Sequence, residues 1–559
     1  MIVKRVAAVV VAWCLIGWVT FSPAHADTRY GVASAHPLAT QAGEAVLARG
    51  GNAFDAAVAV AAALAVVEPF SSGLGGGGFF LLHRASDGHD VVVDARETAP
   101  AAASKDMYLD AKGEPDARAS LDGARAAGIP GLVAGLDHLA SRYGTRPVAE
   151  LLAPAIRFAD EGFAVDGRYV GAAGWREKVM QADARTASVF LQDGKVPDKG
   201  FVVRQAGLAR TLRAIAAHGR DGFYTGEVAR EMARSVRAAG GLWTEADLAG
   251  YRVIERIPHR FTYRGATIIT APLPSSGGLT LDQTLGILEQ FDLASFSETD
   301  RVHLVVEALR RAFQDRARHL GDADFVDVPA GRLASPGYAR QRAAGIDPQK
   351  ATSSAALDAA PEWREGGHTT HFSVVDADGN RVAATLSINA PFGAGLLAGE
   401  SGVLLNNEMN DFAIAPNAGN LYGLTGFHAN AIAAGKRPLS SMSPTFVEDS
   451  RGVLVFGTPG GSRIITMVLI GLLEHLHGPG LDLARVVGVP RYHHQYLPDR
   501  IEVEPGQFPE AWVAALKEKG HTVQEGRRRW GNMQAVFVHR ETGTVVVEGD
   551  PRGKAGVLF

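Results

Sequence analysis

The spacing of apolar residues gives the chain three different rhythms. Val6 to Val19 is almost continuously apolar. From about residue 130 to 330, apolar positions recur every three or four residues, the period of helices buried along one face. From Thr369 onward the pattern alternates residue by residue, as strands do, until helical periodicity returns near 464–477 and 509–519. Ahead of residue 130, 40–49 and 53–67 predict helices, and 79–83 and 91–94 predict strands. A strand-like piece near 261–270 and a turn over 272–278 interrupt the helical middle. Residues 340–368 are polar and without period, which predicts a linker ahead of the strand-rich part. No internal repeat is visible.

The first apolar run follows Lys4 and Arg5 and ends in Ala24-His25-Ala26. A basic start, a short apolar core and an Ala-x-Ala end predict a secretory signal peptide over 1–26. That implies export, to the periplasm or the medium. The only cysteine, Cys14, lies within this segment, so the mature chain is held by its core without disulfides. The run from Ala56 to Val67 is too short to cross a bilayer and predicts a buried helix.

Composition narrows the picture little. The 559 residues are 46% hydrophobic and 21% charged, ordinary for a globular protein, with a formal net charge of −4. Nothing in that balance points to nucleic acid or an anionic membrane as partner. The basic run Arg527–Arg529 predicts a solvated face. The glycine run before Phe79 lacks the Lys-Ser/Thr of a phosphate-binding loop and predicts close backbone packing.

The chemistry concentrates where the rhythm changes. Gly366-Gly367-His368 precedes Thr369-Thr370, and Asp378-Gly379 predicts a two-residue hairpin turn. Folding there brings Thr370 opposite Ser387 and Thr369 opposite Ile388, with Asn389 nearby; a slip of one position would keep the neighbourhood. A threonine hydroxyl needs a base to act as nucleophile. His371 lies on the same strand without necessarily reaching it. Cutting the chain before the threonine supplies another base, its own α-amine, whose pKa of about 7.7 leaves much of it neutral near pH 7.

Further motifs carry a resemblance: Thr369-Thr-His-Phe-Ser373, Leu404-Leu-Asn-Asn-Glu-Met-Asn-Asp411, Lys436-Arg-Pro-Leu-Ser-Ser-Met-Ser-Pro444 and Pro459-Gly-Gly-Ser-Arg463. Asp94-Ala-Arg-Glu-Thr-Ala-Pro100, Pro490-Arg-Tyr-His-His494 and Asp550-Pro-Arg552 extend it in order over nearly the whole mature chain. In these motifs the sequence resembles the γ-glutamyltransferases, N-terminal nucleophile hydrolases.

The resemblance implies an α/β (α+β) fold, the four-layer αββα sandwich, built from two chains of one self-cleaved precursor. The cut would fall between His368 and Thr369, leaving a large subunit, 27–368, and a small one, 369–559. Thr369 resembles the nucleophile, and Ser387, where the family usually has threonine, the hydroxyl that orients it. Gly460 and Gly461 resemble the oxyanion hole. Asn389, Glu408 and Asp411 resemble the ligands of a γ-glutamyl α-ammonium, and Arg96, Ser440 and Ser441 those of its α-carboxylate. Tyr422 matches a lid tyrosine of some members. The implied partners are glutathione or other γ-glutamyl donors and amino-acid or peptide acceptors. No cofactor or metal is expected; His493-His494 reads as packing, since neighbours on a strand point to opposite faces. Two other readings stay open: a glutaryl-amide acylase of cephalosporin type on the same fold, and an exported binding protein without catalysis.

Overall fold

The computed structural model describes residues 29–357, 369–415, 419–424 and 428–553. The signal-peptide segment and His368 lie outside these residues, as does most of the last part of the expected linker.

Two six-stranded antiparallel sheets form the middle of the molecule. The first runs, edge to edge, Gly31–Ser34, Thr370–Val375, Arg381–Ser387, Gly77–Arg84, His89–Ala95 and Ile254–Arg256. The second runs Val545–Gly549, Gln534–His539, Gly452–Gly457, Thr445–Glu448, Ala266–Thr270 and His259–Tyr263. The predicted strand piece near 261–270 is thus a hairpin of two strands. The sheets face each other: Ser373 Oγ donates to the Gln534 carbonyl at 3.2 Å. Helices cover both outer faces, giving the expected four layers. Pro37–Ala48, Ala53–Val67 and Leu132–Arg142 pack on the first sheet, and Gly277–Leu288, Glu298–His319 and Arg463–His477 on the second.

The helix Ala53–Val67 is buried at every position. Twelve of its fifteen side chains are Ala or Val, small enough to let neighbours approach on all sides. Its start is fixed by a capping box between Asn52 and Asp55. Its end delivers Glu68 to the first sheet.

The strand Thr370–Val375 is likewise buried throughout. Phe372 and Val374 join the core under the helices of the first sheet, while Val375 joins the core shared with the second sheet. His371 points between the sheets, where a Cβ on Gly457 would meet its ring at 2.3 Å. Its ring nitrogens contact Thr385 Oγ1 (2.9 Å) and Ser373 Oγ (3.2 Å). Burial lowers its pKa to about 3, so it is a neutral packed histidine with both nitrogens occupied.

The hairpin corrects the predicted register by one position. Asp376 N donates to Asn380 O, leaving Ala377-Asp378-Gly379 as a three-residue loop with Gly379 at φ 90°. The left-handed third residue is the geometry such loops require. Leu386, not Ser387, therefore pairs with Thr370.

Candidate active site

That single-residue shift puts Ser387 beside Thr369. Their hydroxyl oxygens are 3.5 Å apart, the long limit of a hydrogen bond. Ser387 Oγ also accepts from the Asn389 N–H at 2.7 Å. Thr370 faces the other way and donates to Glu68 at 2.8 Å. The two adjacent threonines thus serve different layers. Glycine makes the approach possible from behind: a Cβ on Gly76 would lie 2.1 Å from the Ser387 carbonyl, and one on Gly75 equally close to the Leu404 carbonyl. The glycine run is close backbone packing, as the sequence predicts.

Thr369 lines a cleft with Ser387, Asn389, Glu408 and Asp411. Ser440, Ser441, Gly461 and Tyr422 complete its polar lining. Eight of the ten residues expected at the site therefore share one cavity. Arg96 lies behind it, wholly buried, and Gly460 lies on the far side of the Gly-Gly pair.

Arg96 is held by groups of opposite charge. Its guanidinium donates to Glu408 and, at 2.5 Å, to Asp411, and Glu97 lies 3.5 Å away. In this structure Arg96 therefore joins the carboxylates assigned to the ammonium end instead of standing apart with Ser440 and Ser441. Burial alone would lower its pKa, but Glu408, Asp411 and Glu97 raise it above its ordinary value. The carboxylates respond in the other direction. Burial, partly opposed by Arg96, raises Glu408 to about 7. Burial also raises Asp411. Glu97 is pushed well above the carboxylate range by burial and by Glu408. Three buried carboxylates around one guanidinium form a site short of positive charge.

Beside Ser441 lies a second arginine that sequence reasoning missed. Arg316 is buried, with Nε donating to Ser276 Oγ (2.8 Å) and Nη2 to Ser441 Oγ (3.3 Å). Burial lowers its pKa to about 10, against the pull of Asp411. It comes from the last turn of Glu298–His319, where it reads as one more basic residue at a helix C-terminus. Glu97 was missed for a similar reason: it sits inside a quoted motif, but only folding turns it toward Glu408.

Asn389 is set by its backbone, at φ 71°. Its Nδ2 donates to Asn407 O at 2.9 Å, and its Oδ1 accepts from the Tyr422 hydroxyl. The amide oxygen expected to meet an ammonium is thus occupied by the tyrosine. Tyr422 also roofs the glycine pair, since a Cβ on Gly461 would lie 2.2 Å from its ring. Gly460 and Gly461 have φ 141° and 58°, and they lead into the helix Arg463–His477. Among the described residues neither N–H has an acceptor. Two free N–H groups at the positive end of a 15-residue helix suit an oxyanion.

His493 and His494 are both buried and satisfied by neighbours. His493 contacts Thr466 and Gln495 at 2.8 Å each, and His494 contacts Asp499 at 3.3 Å. Among the described residues, the side chains spaced to surround a metal are instead His303, Glu307 and His521. His303 bonds the Asp347 carbonyl, and Glu307 pairs with Arg310 and Arg311.

A threonine heading a strand of one sheet, with two stacked sheets between helical layers, defines the class of N-terminal nucleophile hydrolases. Within it, the chain belongs to the family described as gamma-glutamyltranspeptidase, whose model matches residues 39–559. It is 43% identical over 528 residues to the glutathione hydrolase proenzyme of Escherichia coli, covering 93% of this chain and 90% of that one. Among solved structures, cephalosporin acylase from Bacillus halodurans superposes with a TM-score of 0.82 at 28% identity, covering 97% and 98% of the two chains. Helicobacter pylori gamma-glutamyltranspeptidase superposes with a TM-score of 0.55 at 39% identity, covering 57% of this chain and 91% of that one.

Proposed function

We propose that this chain is an autoprocessing γ-glutamyltransferase and glutathione hydrolase whose nucleophile is Thr369. The precursor loses residues 1–26 on export to the periplasm or medium and cuts itself between His368 and Thr369. The new α-amine of Thr369 takes the proton from Oγ1 as that oxygen attacks the γ-amide carbonyl. The oxyanion rests on the N–H groups of Gly460 and Gly461. The amide C–N bond then breaks, the leaving nitrogen takes the proton back from the amine, and a γ-glutamyl ester remains on Thr369. Water or an acceptor amine attacks that ester. Ser387 orients the nucleophile. Glu408 and Asp411, with Asn389 once Tyr422 moves off its amide oxygen, hold the α-ammonium. Arg96, Ser440 and Ser441, the last backed by Arg316, hold the α-carboxylate.

The observation that carries this reading is the charge of the cleft. Glu97, Glu408 and Asp411 surround Arg96. A substrate bringing an ammonium relieves that excess, and its carboxylate can then take Arg96 in exchange. The likeness to a cephalosporin acylase supports a second reading, a glutaryl-amide acylase. A glutaryl group lacks the α-amine, however, and brings Glu408 and Asp411 no cation to meet.

Asp411→Asn separates the two. The change keeps the shape and removes the charge, and a charge-assisted hydrogen bond contributes roughly 1.5–3 kcal/mol. KM for a γ-glutamyl anilide should rise about tenfold or more, with a glutaryl anilide affected little. If the ratio of kcat/KM for the two donors does not change, Asp411 does not read the α-amine.

A further inference from the structure

Thr369 lines a second cavity as well. It encloses about 1350 Å³ of open space, against about 300 Å³ for the cleft, and shares with the cleft no lining residue but Thr369. The glycine pair divides between them: Gly461 faces the cleft and Gly460 the groove. An amide whose carbonyl sits over this pair, with its acyl part in the cleft, has its nitrogen side toward the groove.

The groove has the opposite electrostatic character. Its lining includes four arginines, Arg168, Arg528, Arg529 and Arg552, and no carboxylate. Two are already neutralised. Arg168 pairs with Glu68 at 2.7 Å, and Arg552 pairs with Glu504 and Asp550. Arg528 and Arg529 are exposed and have no ion-pair partner among the described residues. The sequence read them as a solvated face; folding sets that face on the groove that Thr369 also lines. Other donors in the wall are also unused. Ser71 Oγ, Trp530 Nε1 and Asn532 Nδ2 have no hydrogen-bond partner among the described residues. Trp530 itself is half-buried and stacks with Arg463 at 5.1 Å.

We propose that this groove is the subsite for the amine side of the reaction, and that Arg528 and Arg529 bind the carboxylate of the leaving or accepting amino acid or short peptide. The inference rests on Thr369 carrying the acyl group, as argued above. In acylation the C–N bond breaks and a carboxylate-bearing amine departs through the groove. In transfer a similar amine enters by the same route, its nitrogen forms the new C–N bond, the ester C–O bond breaks, and the amine's proton passes to Thr369. The arginines touch no reacting atom; they select the partner by its charge.

The test compares two γ-glutamyl donors with the same acyl group, an anilide with a neutral leaving group and one with a ring carboxylate, on the processed two-chain enzyme. Arg528→Ala/Arg529→Ala should lower the carboxylate-to-neutral ratio of kcat/KM about threefold to tenfold, the scale of two exposed ion pairs. Arg528→Lys/Arg529→Lys should recover most of it, and Arg528→Glu/Arg529→Glu should push it below the alanine level. The preference for glycylglycine over glycinamide as acceptor should fall in parallel. An unchanged ratio in the alanine and glutamate variants overturns the proposal. So does a defect confined to self-cleavage, which would assign the groove to the segment upstream of Thr369. Failure of the wild type to turn over either γ-glutamyl donor would instead overturn the parent reading.

Discussion

The two cavities that meet at Thr369 are built from opposite materials. The cleft is small, and most of its charge is buried: Arg96 is inaccessible and Glu408 nearly so, with Asp411 partly exposed. The groove is open, and its uncommitted charges are exposed. Inside the cleft a charge cannot be screened, so it has to be matched by the ligand. In the groove, water and salt already solvate each arginine, so a ligand gains little from any one of them. The difference teaches a division of labour. On the proposed reading, the acyl half of the substrate is recognised stringently, and the amine half loosely enough to be exchanged for water or another amine.

Thr369 lines both cavities, and as the proposed nucleophile its loss should have the largest effect. Thr369→Ala is expected to remain a single chain and to show only background turnover. Denaturing gel electrophoresis and N-terminal sequencing check it: the wild type should give chains 27–368 and 369–559, and the variant neither. Cleavage of the variant at the same bond would dissociate processing from Thr369.

Next in size is the partition between the cavities. A Cβ on Gly461 would lie 2.2 Å from the Tyr422 ring, on a backbone with φ 58° that a side chain rarely adopts. Gly461→Ala should therefore displace either the ring or the N–H groups proposed to meet the oxyanion. Losing one such donor costs about 10² to 10³ in turnover. Combining it with Tyr422→Ala tells the two apart. If the ring is the obstacle, Gly461→Ala should cost much less in the Tyr422→Ala background than in the wild type. Steady-state kcat on folded, processed protein is the readout.

A smaller effect tests the charge logic of the cleft by pH. Glu408 is raised from the ordinary carboxylate range to about 7 by burial. Below that pH it is protonated and meets an ammonium poorly; above it, it is charged. The ratio of kcat/KM for γ-glutamyl over glutaryl donors should thus rise severalfold as pH increases through about 7. The α-amine of Thr369 titrates nearby, at about 7.7 in a free chain. It serves both donors and cancels from the ratio. In Glu408→Gln the ratio should be flat over the same range, and a limb that survives there would remove Glu408 from donor recognition.

How much of this was legible in the sequence follows from where each contact is made. The helix 53–67 was readable to the residue because a capping box and an unbroken apolar run mark it locally. The cleft was readable because its residues sit in short motifs, and folding gathers eight of them into one cavity. The hairpin register was missed by one, because Asp-Gly also ends three-residue loops, and nothing local decides whether Ala377 joins the turn. Glu97, Arg316 and the engagement of Asn389 by Tyr422 depend on contacts from 33 to more than 300 positions apart, which no periodicity reports. The groove was hidden most completely. Arg528 and Arg529 look like any surface charge until the fold lines one groove with them and Gly460.

The smallest expected effect is the response to salt, and it separates the two regions without any mutation. The Debye length is about 10 Å at 0.1 M and about 3 Å at 1 M. Arg528 and Arg529 are exposed, so their attraction for a carboxylate should weaken over that range. The preference for a carboxylated over a neutral leaving group should then fall about twofold to threefold as the salt concentration rises, the scale of exposed pairs of well under 1 kcal/mol each. The cleft should behave differently. Arg96 and Glu408 are buried against each other, and Asp411, 12% exposed, is paired to the same guanidinium. The γ-glutamyl over glutaryl ratio should therefore hold across the same salt series. Both ratios can be read from one set of progress curves, using a salt that binds neither cavity specifically. If both fell together, the acyl site would be more open than its burial implies. If neither fell, the groove arginines would not be acting through charge, and the contrast between the two sides of Thr369 would lose its basis.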